Sequence, residues 1–446
     1  MGHLPSGAAM ADFDVIVVGA GVAGSTAATR MAQKGLNVLL VDRAKPIGSK
    51  NLSGGVIWGH DLDEVFPNWW RASEGAVERP ITTKGVSFLT KESGFTASFS
   101  TNDWRREPHN AFSVLRAKFD LYLSEQAAKA GVTVVDGVNI EHLAIEDVNG
   151  IRKVVGVVQD GATISADCVV LADGANSRLS MDLGIRGKLD RKHYVTGVKQ
   201  VIKFPSEQAL QERFAIGPNE GVALEFVLGY LENGAKAGGF LYTNRDTVSL
   251  GVVVNLDSIW EKGVYNYKIM EAFRTHPTVA ALLQGGEMVE YGAHLIPEGG
   301  LHCVPQLHGT GWLVVGDAAG FVYSNGLVIH GMNYAARSGI LAADACVLAK
   351  KRGGFTERNL SVYARMVEES FIMKDLKKFD TMHDFVWDDV NHQVLPGLVE
   401  NVFKGLFTNT GEPKENAETH VKRYLREKRV SLPRLARFAL KARKSV

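Results

Sequence analysis

Apolar and polar positions divide the chain most sharply near its start. Phe13-Asp14-Val15-Ile16-Val17-Val18 is a short apolar run, Gly19-Ala20-Gly21-Val22-Ala23-Gly24 interrupts it, and a second run from Asn37 to Val41 ends on Asp42. That order predicts strand, tight turn, helix and strand. In such a turn the first glycine permits the bend, the second lets backbone N–H groups approach a pyrophosphate, and the third lets the helix lie close on the sheet. Asp42 stands where a carboxylate accepts hydrogen bonds from an adenosine ribose. The glycine spacing alone arises by chance in a chain with 47 glycines, but the strand before it, the small-residue helix after it and the acid at the right distance point to a dinucleotide site.

The pattern continues in blocks. Gly48-Ser49-Lys50-Asn51-Leu52-Ser53-Gly54-Gly55 reads as a loop, and beside a pyrophosphate its Ser53-Gly54-Gly55 run would bring backbone donors against a flat ring. Val86 to Leu89 and Phe95 to Phe99 read as a hairpin, Val114-Leu115-Arg116 as the opening of a helix, and Val132 to Val135 as a strand. Gly156-Val157-Val158 and Ala162 to Ile164 suggest another hairpin. Cys168-Val169-Val170-Leu171-Ala172 suits a parallel strand buried on both faces, and it ends on Asp173-Gly174. From Tyr194 to about Asn255 the runs Val195 to Phe204, Val222 to Leu228, Gly239 to Thr243 and Val248 to Val254 predict an antiparallel sheet walling a second domain. Trp312-Leu313-Val314-Val315 is the last buried strand and runs into Gly316-Asp317. A small-residue helix follows from about Gly331 to Lys350, its positive end expected toward a bound anion. Beyond Gly353-Gly354 the chain is helical in character, with Leu395, Leu398, Val399, Val402, Phe403, Leu406 and Phe407 on one face.

Composition narrows the class. At 446 residues, 45% hydrophobic and 22% charged, the chain can build two or three domains around a sizeable core. No stretch reaches the roughly 18 apolar residues of a spanning helix, so membrane contact is expected to be peripheral. Cys168, Cys303 and Cys346 lie far apart with no C-x-x-C, which argues against a disulfide framework or a cysteine-held cluster and for a reducing, cytoplasmic compartment. The thirteen histidines show no clustered ligand spacing, so no metal site is expected. Met1 to Ala11 are set aside from the fold. The net charge of +1 hides an asymmetry: Lys422 to Val446 hold ten basic residues and one acid, a local +9 against −8 for the rest. A basic tail on an acidic body suits a membrane surface or an acidic protein face; no nucleic-acid partner is expected. Leu432, Leu435, Phe438 and Ala439, interleaved with Arg434, Arg437 and Lys441, give an apolar stripe beside cations.

Together the glycine turn, Asp173-Gly174 and Gly316-Asp317 resemble the FAD-binding signature of glutathione-reductase-like flavoproteins of the para-hydroxybenzoate hydroxylase branch, over residues 12 to about 350. The resemblance implies an α/β fold: a discontinuous FAD-binding Rossmann-like domain (12–75, 111–190 and 300–355), an inserted antiparallel-sheet substrate domain (76–110 and 191–299) and a helical C-terminal region with a basic tail (356–446). It implies FAD as cofactor, held by Gly19, Gly21, Ala23, Gly24, Asp42, Arg43, Lys50, Ser53, Gly54, Gly55, Arg116, Asp173, Gly174, Gly316, Asp317, Gly331 and Met332. Asp317 would hold the ribityl chain, and Arg116 would lie along the phosphate or ribityl portion.

Within that branch, Lys50-Asn51-Leu52-Ser53-Gly54-Gly55 and Gly331-Met332-Asn333-Tyr334-Ala335 resemble the electron-transfer-flavoprotein:quinone oxidoreductases, particularly FixC-type flavoprotein subunits. There the stretch Gly326-Leu327-Val328-Ile329-His330-Gly331 would line the isoalloxazine. Flavin redox needs no catalytic triad, so Lys50 and His330 are candidates to tune the flavin rather than to act as acid and base; each has a plain alternative, Lys50 as a tie for its loop and His330 as a structural histidine. Residues 360 to 446 contain no cysteine. The resemblance therefore implies a separate ferredoxin-like iron–sulfur subunit, with an electron-transferring flavoprotein as donor and quinone as acceptor, at the cytoplasmic membrane surface. A geranylgeranyl-reductase-type prenyl reductase, an oxygen-using aromatic hydroxylase and a non-catalytic flavin-stabilised assembly subunit stay open as rivals.

Overall fold

The computed structural model describes residues 11–51, 55–71, 76–148, 150–188, 190–326 and 328–445. Its central sheet is built from the buried apolar runs. Phe13–Val18 lies in the middle, parallel to Ala162–Leu171 on one side and Val38–Val41 on the other; Trp312–Val314 and Thr133–Val135 extend the parallel array outward. Val15, Ile16 and Val17 are fully buried, as strands covered on both faces require. Ala162–Leu171 is one strand where the sequence suggests two. Its first half pairs antiparallel with Ile151–Gln159, and its second half joins the parallel array, so one chain segment carries both the predicted hairpin and the predicted buried strand.

Small residues bring the helices close to this sheet and to each other. A Cβ on Gly24 would fall 1.8 Å from the Gly19 carbonyl oxygen, and one on Gly339 would fall 2.4 Å from that of Ala23. The helices Val22–Gln33 and Met332–Lys351 therefore pack backbone to backbone. Arg30 locks the pair at its far end with a bidentate ion pair to Asp344, Nε to Oδ1 at 3.0 Å and Nη2 to Oδ2 at 3.2 Å.

The second sheet has seven strands in the order Glu287–Pro297, Tyr194–Lys203, Thr247–Asn255, Ala237–Thr243, Val222–Leu228, Thr83–Leu89 and Gly94–Ser100. All neighbours are antiparallel except Val222–Leu228 with Thr83–Leu89, which run parallel. One face buries Phe226, Leu241, Leu250 and Val252 against the helix Asn266–Thr275 through Met270 and Phe273. The edge strand Glu287–Pro297 was not foreseen. Its outer half exposes Glu287, Met288, Val289, Glu290 and Tyr291 in succession, without the alternation that marks a half-buried strand.

The helix Leu395–Phe407 packs on the hairpin of this sheet, with Phe403 stacked on Phe95 at 4.1 Å between ring centroids and Ser93 Oγ donating to Glu400 Oε1 at 2.7 Å. Most of its predicted face is thus used for packing, and Phe407 stays 77% exposed. The tail helix Leu432–Ser445 corrects the expected apolar stripe. Leu435 and Phe438 turn inward onto a cluster with Val390, Val394 and Tyr424, and Phe438 stacks on Phe385 at 5.2 Å. Lys441 Nζ pairs with Asp388 at 2.6 Å and Arg434 with Asp389 at 3.9 Å. Among the described residues, no helix is long and apolar enough to cross a membrane.

Candidate functional site

A cavity of about 720 Å³ opens where the carboxyl ends of the parallel strands face the inner surface of the seven-stranded sheet. Its first wall is the glycine turn. Gly19 has φ +109°, and a Cβ there would lie 2.2 Å from the Ala172 carbonyl oxygen, so only glycine lets this turn approach the neighbouring strand end. Gly21 caps the helix Val22–Gln33 without any side-chain hydrogen bond, which leaves that terminus's N–H groups for a ligand. Asp42 Oδ2 accepts from Ala20 N at 2.8 Å and Oδ1 from Ala44 N at 2.7 Å. Each oxygen keeps a lone pair, and the residue lines the cavity beside Arg43.

Arg116 opens the helix Arg116–Lys129 and faces the same space. Asp120 takes Arg116 Nε and Nη2 at 2.8 Å each, and Asn51 also donates to Asp120. Burial works against the guanidinium charge, but the carboxylates of Asp120, Asp317 and Asp42 outweigh it and hold the pKa above its ordinary value. Asp173 Oδ1 is a buried acceptor with no hydrogen-bond partner among the described residues, while Oδ2 accepts from Leu179 N at 3.1 Å. Burial raises the pKa of Asp173, and it raises that of Asp317 as well, against the pull of Arg116 and Arg186. Asp317 sits in a short 3₁₀ turn, Gly316–Ala319, fixed by Ser338 Oγ accepting from Gly316 N at 3.0 Å.

The small-residue helix expected from about Gly331 runs from Met332 to Lys351, behind the short ribbon of Tyr323–Ser324 and Ile329–His330. Its N-cap, Gly331, comes back to Asp317, since a Cβ there would lie 3.8 Å from Asp317 Oδ1. Gly55 meets Met332 from the opposite side, with 2.8 Å between its would-be Cβ and Met332 Cε. Thus Gly19, Gly21, Ala23, Asp42, Arg43, Lys50, Gly55, Arg116, Asp173, Gly174, Gly316, Asp317, Gly331 and Met332 all line one cavity, and Gly24 lies behind the turn. Ser53 and Gly54, with Leu52 and Leu327, lie outside the described residues.

The two flavin-tuning candidates differ in place, Lys50 on the cavity wall and His330 behind it. Lys50 Nζ donates to the Arg43 carbonyl at 3.1 Å, which ties its loop to the end of the second strand. His330 is not on the cavity wall: its ring lies against Trp58 at 4.2 Å and Tyr323 at 5.2 Å between centroids. Burial, with Lys84 nearby, lowers its pKa to about 4, so it is neutral at pH 7.

The sequence reading passed over the polar groups on the sheet side of the cavity: Lys199, Glu225, Tyr242 and His294. Burial and then Arg116 lower Lys199 to about 8, and burial, Arg116, Lys199 and Arg43 bring His294 to about 4. The available signal was a single charge inside an otherwise apolar strand, as in Val222-Ala223-Leu224-Glu225-Phe226-Val227-Leu228.

An uncapped helix start, the half-buried cation of Arg116 and carboxylates with open lone pairs suit a pyrophosphate and sugar hydroxyls, so the residues present fit FAD. Residues 14–108 match the family model described as FAD dependent oxidoreductase, and residues 194–296 match the one described as ETF-QO, ubiquinone-binding. Among solved structures, a geranylgeranyl bacteriochlorophyll reductase-like protein of Thermoplasma acidophilum aligns at TM-score 0.66 and 19% identity over 93% of this chain and 96% of that one. A flavin-dependent brominase aligns at TM-score 0.61 and 16% identity, over 94% of this chain and all of that one. At such identities the likeness concerns the fold. Fold and site together define an FAD-dependent oxidoreductase with a Rossmann-like domain.

Curated relatives narrow the class. A probable electron transfer flavoprotein-quinone oxidoreductase of Escherichia coli K12 is 39% identical over 403 residues, 90% of this chain and 92% of that protein. FixC of Salmonella typhimurium is 36% identical over 90% of this chain and 91% of its own length, and FixC of Azorhizobium caulinodans 35% identical over 94% and 95%. The chain belongs to the FixC and electron transfer flavoprotein-quinone oxidoreductase family.

Proposed function

We propose that this chain takes electrons from an electron-transferring flavoprotein into FAD and passes them to a quinone held against the inner face of the seven-stranded sheet. The carrying observation is that one cavity joins the glycine turn to that sheet, whose residues 194–296 match the ubiquinone-binding family model. In this reading the helix start at Gly21 and the guanidinium of Arg116 bind the pyrophosphate, Asp42 the adenosine ribose and Asp317 the ribityl hydroxyls. The N-terminus of Met332–Lys351, which comes up to the cavity at Gly331, would face the flavin and favour negative charge there. Bound FAD supplies one- and two-electron chemistry; the protein orients it and limits access to it. The three-part division, with residues 76–110 and 191–299 as the quinone domain, belongs to the same proposal.

A separate ferredoxin-like subunit belongs to the same proposal, and the exposed Leu432 and Leu440 beside Arg437 and Arg443 support peripheral contact with the cytoplasmic membrane. The test is anaerobic reduction of the purified protein by a reduced electron-transferring flavoprotein, followed by reoxidation with a quinone analogue. Both half-reactions are expected; failure of both with the partner subunits present would sink the reading.

A further inference from the structure

The inner face of the seven-stranded sheet carries ionisable groups that binding FAD does not use. Register brings them together. Glu225 and Val86 are paired, Lys84 lies opposite Ala223 on the same strands, and Phe240 links Glu225 to Gly251, which lies opposite Lys199. All point inward, because their alternate neighbours Leu224, Phe226 and Leu241 enter the core on the other face. Tyr242 Oη donates to Glu225 Oε1 at 2.9 Å. Lys84 Nζ lies 4.7 Å from the centre of the Trp58 ring, and Lys199 Nζ 5.2 Å from that of Phe240. Glu225, Tyr242, Phe240, Trp58 and Lys199 all line the cavity.

A charged carboxylate in so apolar a wall is costly, and a quinone reduced there needs protons as well as electrons. We propose that Glu225 is the proton donor to the bound quinone, with Tyr242 and Lys84 as the groups that position and recharge it. This rests on the quinone reading above. Quinone, two electrons and two protons give quinol, each C=O becoming an O–H. The electrons come from reduced FAD. One proton leaves the Glu225 carboxyl for the nearer quinone oxygen and the other reaches the farther oxygen from solvent. The Glu225 carboxylate left behind keeps the Tyr242 hydrogen bond and the field of Lys84 and Lys199, then regains a proton from water along half-buried Lys84.

Titration favours the role. Burial pushes Glu225 up to about 7, against the opposing pull of Lys84, the Tyr242 hydroxyl and Lys199. Burial likewise lowers Lys84. His294 and Glu290 of the edge strand face Lys199, whereas the groups that act on Glu225 are Lys84, Tyr242 and Lys199, and neutral His330 lies beyond Trp58. A donor with its pKa near the working pH is the one that both holds and releases its proton readily.

The test follows reoxidation of the reduced FAD-loaded protein in a stopped-flow instrument, by a short-chain ubiquinone analogue and, separately, by ferricenium, which takes an electron but no proton. In Glu225→Gln the ratio of quinone to ferricenium rate is expected to fall about 100-fold, the lower range for a lost general acid. Infrared difference spectra on quinone binding should lose a protonated-carboxyl band present in the parent below neutral pH. The parent quinone rate should fall as pH rises past Glu225's titration. Tyr242→Phe removes a hydrogen bond that favours the carboxylate, so it should move that alkaline limb to higher pH, an effect that loss of packing alone would not produce. It decides the matter if Glu225→Gln fails to retain FAD. A parent protein oxidised by ferricenium but by no quinone overturns the quinone reading itself. A parent that reduces quinone, with both variants matching its pH profile, overturns the role of Glu225 alone.

Discussion

Asp42, expected from the sequence to meet a ribose, already holds backbone N–H groups of the glycine turn and of Ala44 with its two oxygens. Asp42→Ala would orphan two amides at about 1–3 kcal/mol each. The expected result is a protein that purifies with little FAD and melts lower even after FAD is added back; measured flavin content and a thermal melt check it. Asp42→Asn, which keeps one acceptor, should fall between. Lys199 makes a pH-dependent prediction. Its pKa falls from 10.5 to about 8 because burial, then Arg116, penalise its charge. Between those values the unfolded chain holds a proton that the folded chain has lost, so stability rises with pH across that window. At about 1.4 kcal/mol per unit the gain is at most about 3 kcal/mol. Below pH 8 both states are charged and the penalty is fully present. Lys199→Met should therefore be the more stable form at pH 7, with its advantage shrinking toward pH 10, as urea unfolding at a series of pH values would report.

Between elements, the backbone contact of Val22–Gln33 with Met332–Lys351 decides how far the glycine turn sits from Asp317. Gly339→Val would put two methyl groups and a Cβ against Ala23 O and Thr26, forcing the helices apart at a cost of about 1–3 kcal/mol or somewhat more. FAD should dissociate faster from this variant although position 339 touches no part of the cavity, and the flavin fluorescence released on dilution measures it. The two small-residue helices were legible beforehand but their pairing was not, although runs of Ala and Gly at helical spacing leave no side chain to hold two helices apart. The strand, turn, helix and strand from Phe13 to Asp42 were legible because burial on both faces leaves an unbroken apolar run, and the turn demands glycine. Glu225, Tyr242, Lys84 and Lys199 were not. Each sits at an ordinary inward position of its own strand, and only the register across strands remote in sequence assembles them. For His330 the sequence could not say which way the ring turns: its neighbours Ile329 and Gly331 reach the cavity while its own ring lies against Trp58 and Tyr323.

For the molecule as a whole, the basic tail is part of the body before it meets any partner. Leu435 and Phe438 are used against the segment carrying Phe385, which itself lines the cavity with Val386 and Trp387, and two of the tail's cations are held by Asp388 and Asp389. The apolar part that remains outward is narrower than the sequence implied, Leu432, 77% exposed, and Leu440, 58% exposed, among exposed cations that include Arg426, Arg429, Arg437 and Arg443. Two partly burying leucines contribute about 2 kcal/mol between them, roughly thirtyfold in affinity, and the cations add a term that salt screens. The protein is thus expected to sediment with vesicles rich in anionic lipid, less so as salt is raised, and Leu432→Glu with Leu440→Glu should weaken binding about thirtyfold while leaving flavin content unchanged. Binding that falls with salt but ignores the leucine changes would assign the contact to the cations alone. Failure to bind any vesicle would turn the exposed face toward an acidic protein partner, and the tail would then couple that partner, through Phe438 and Phe385, to the wall of the cavity.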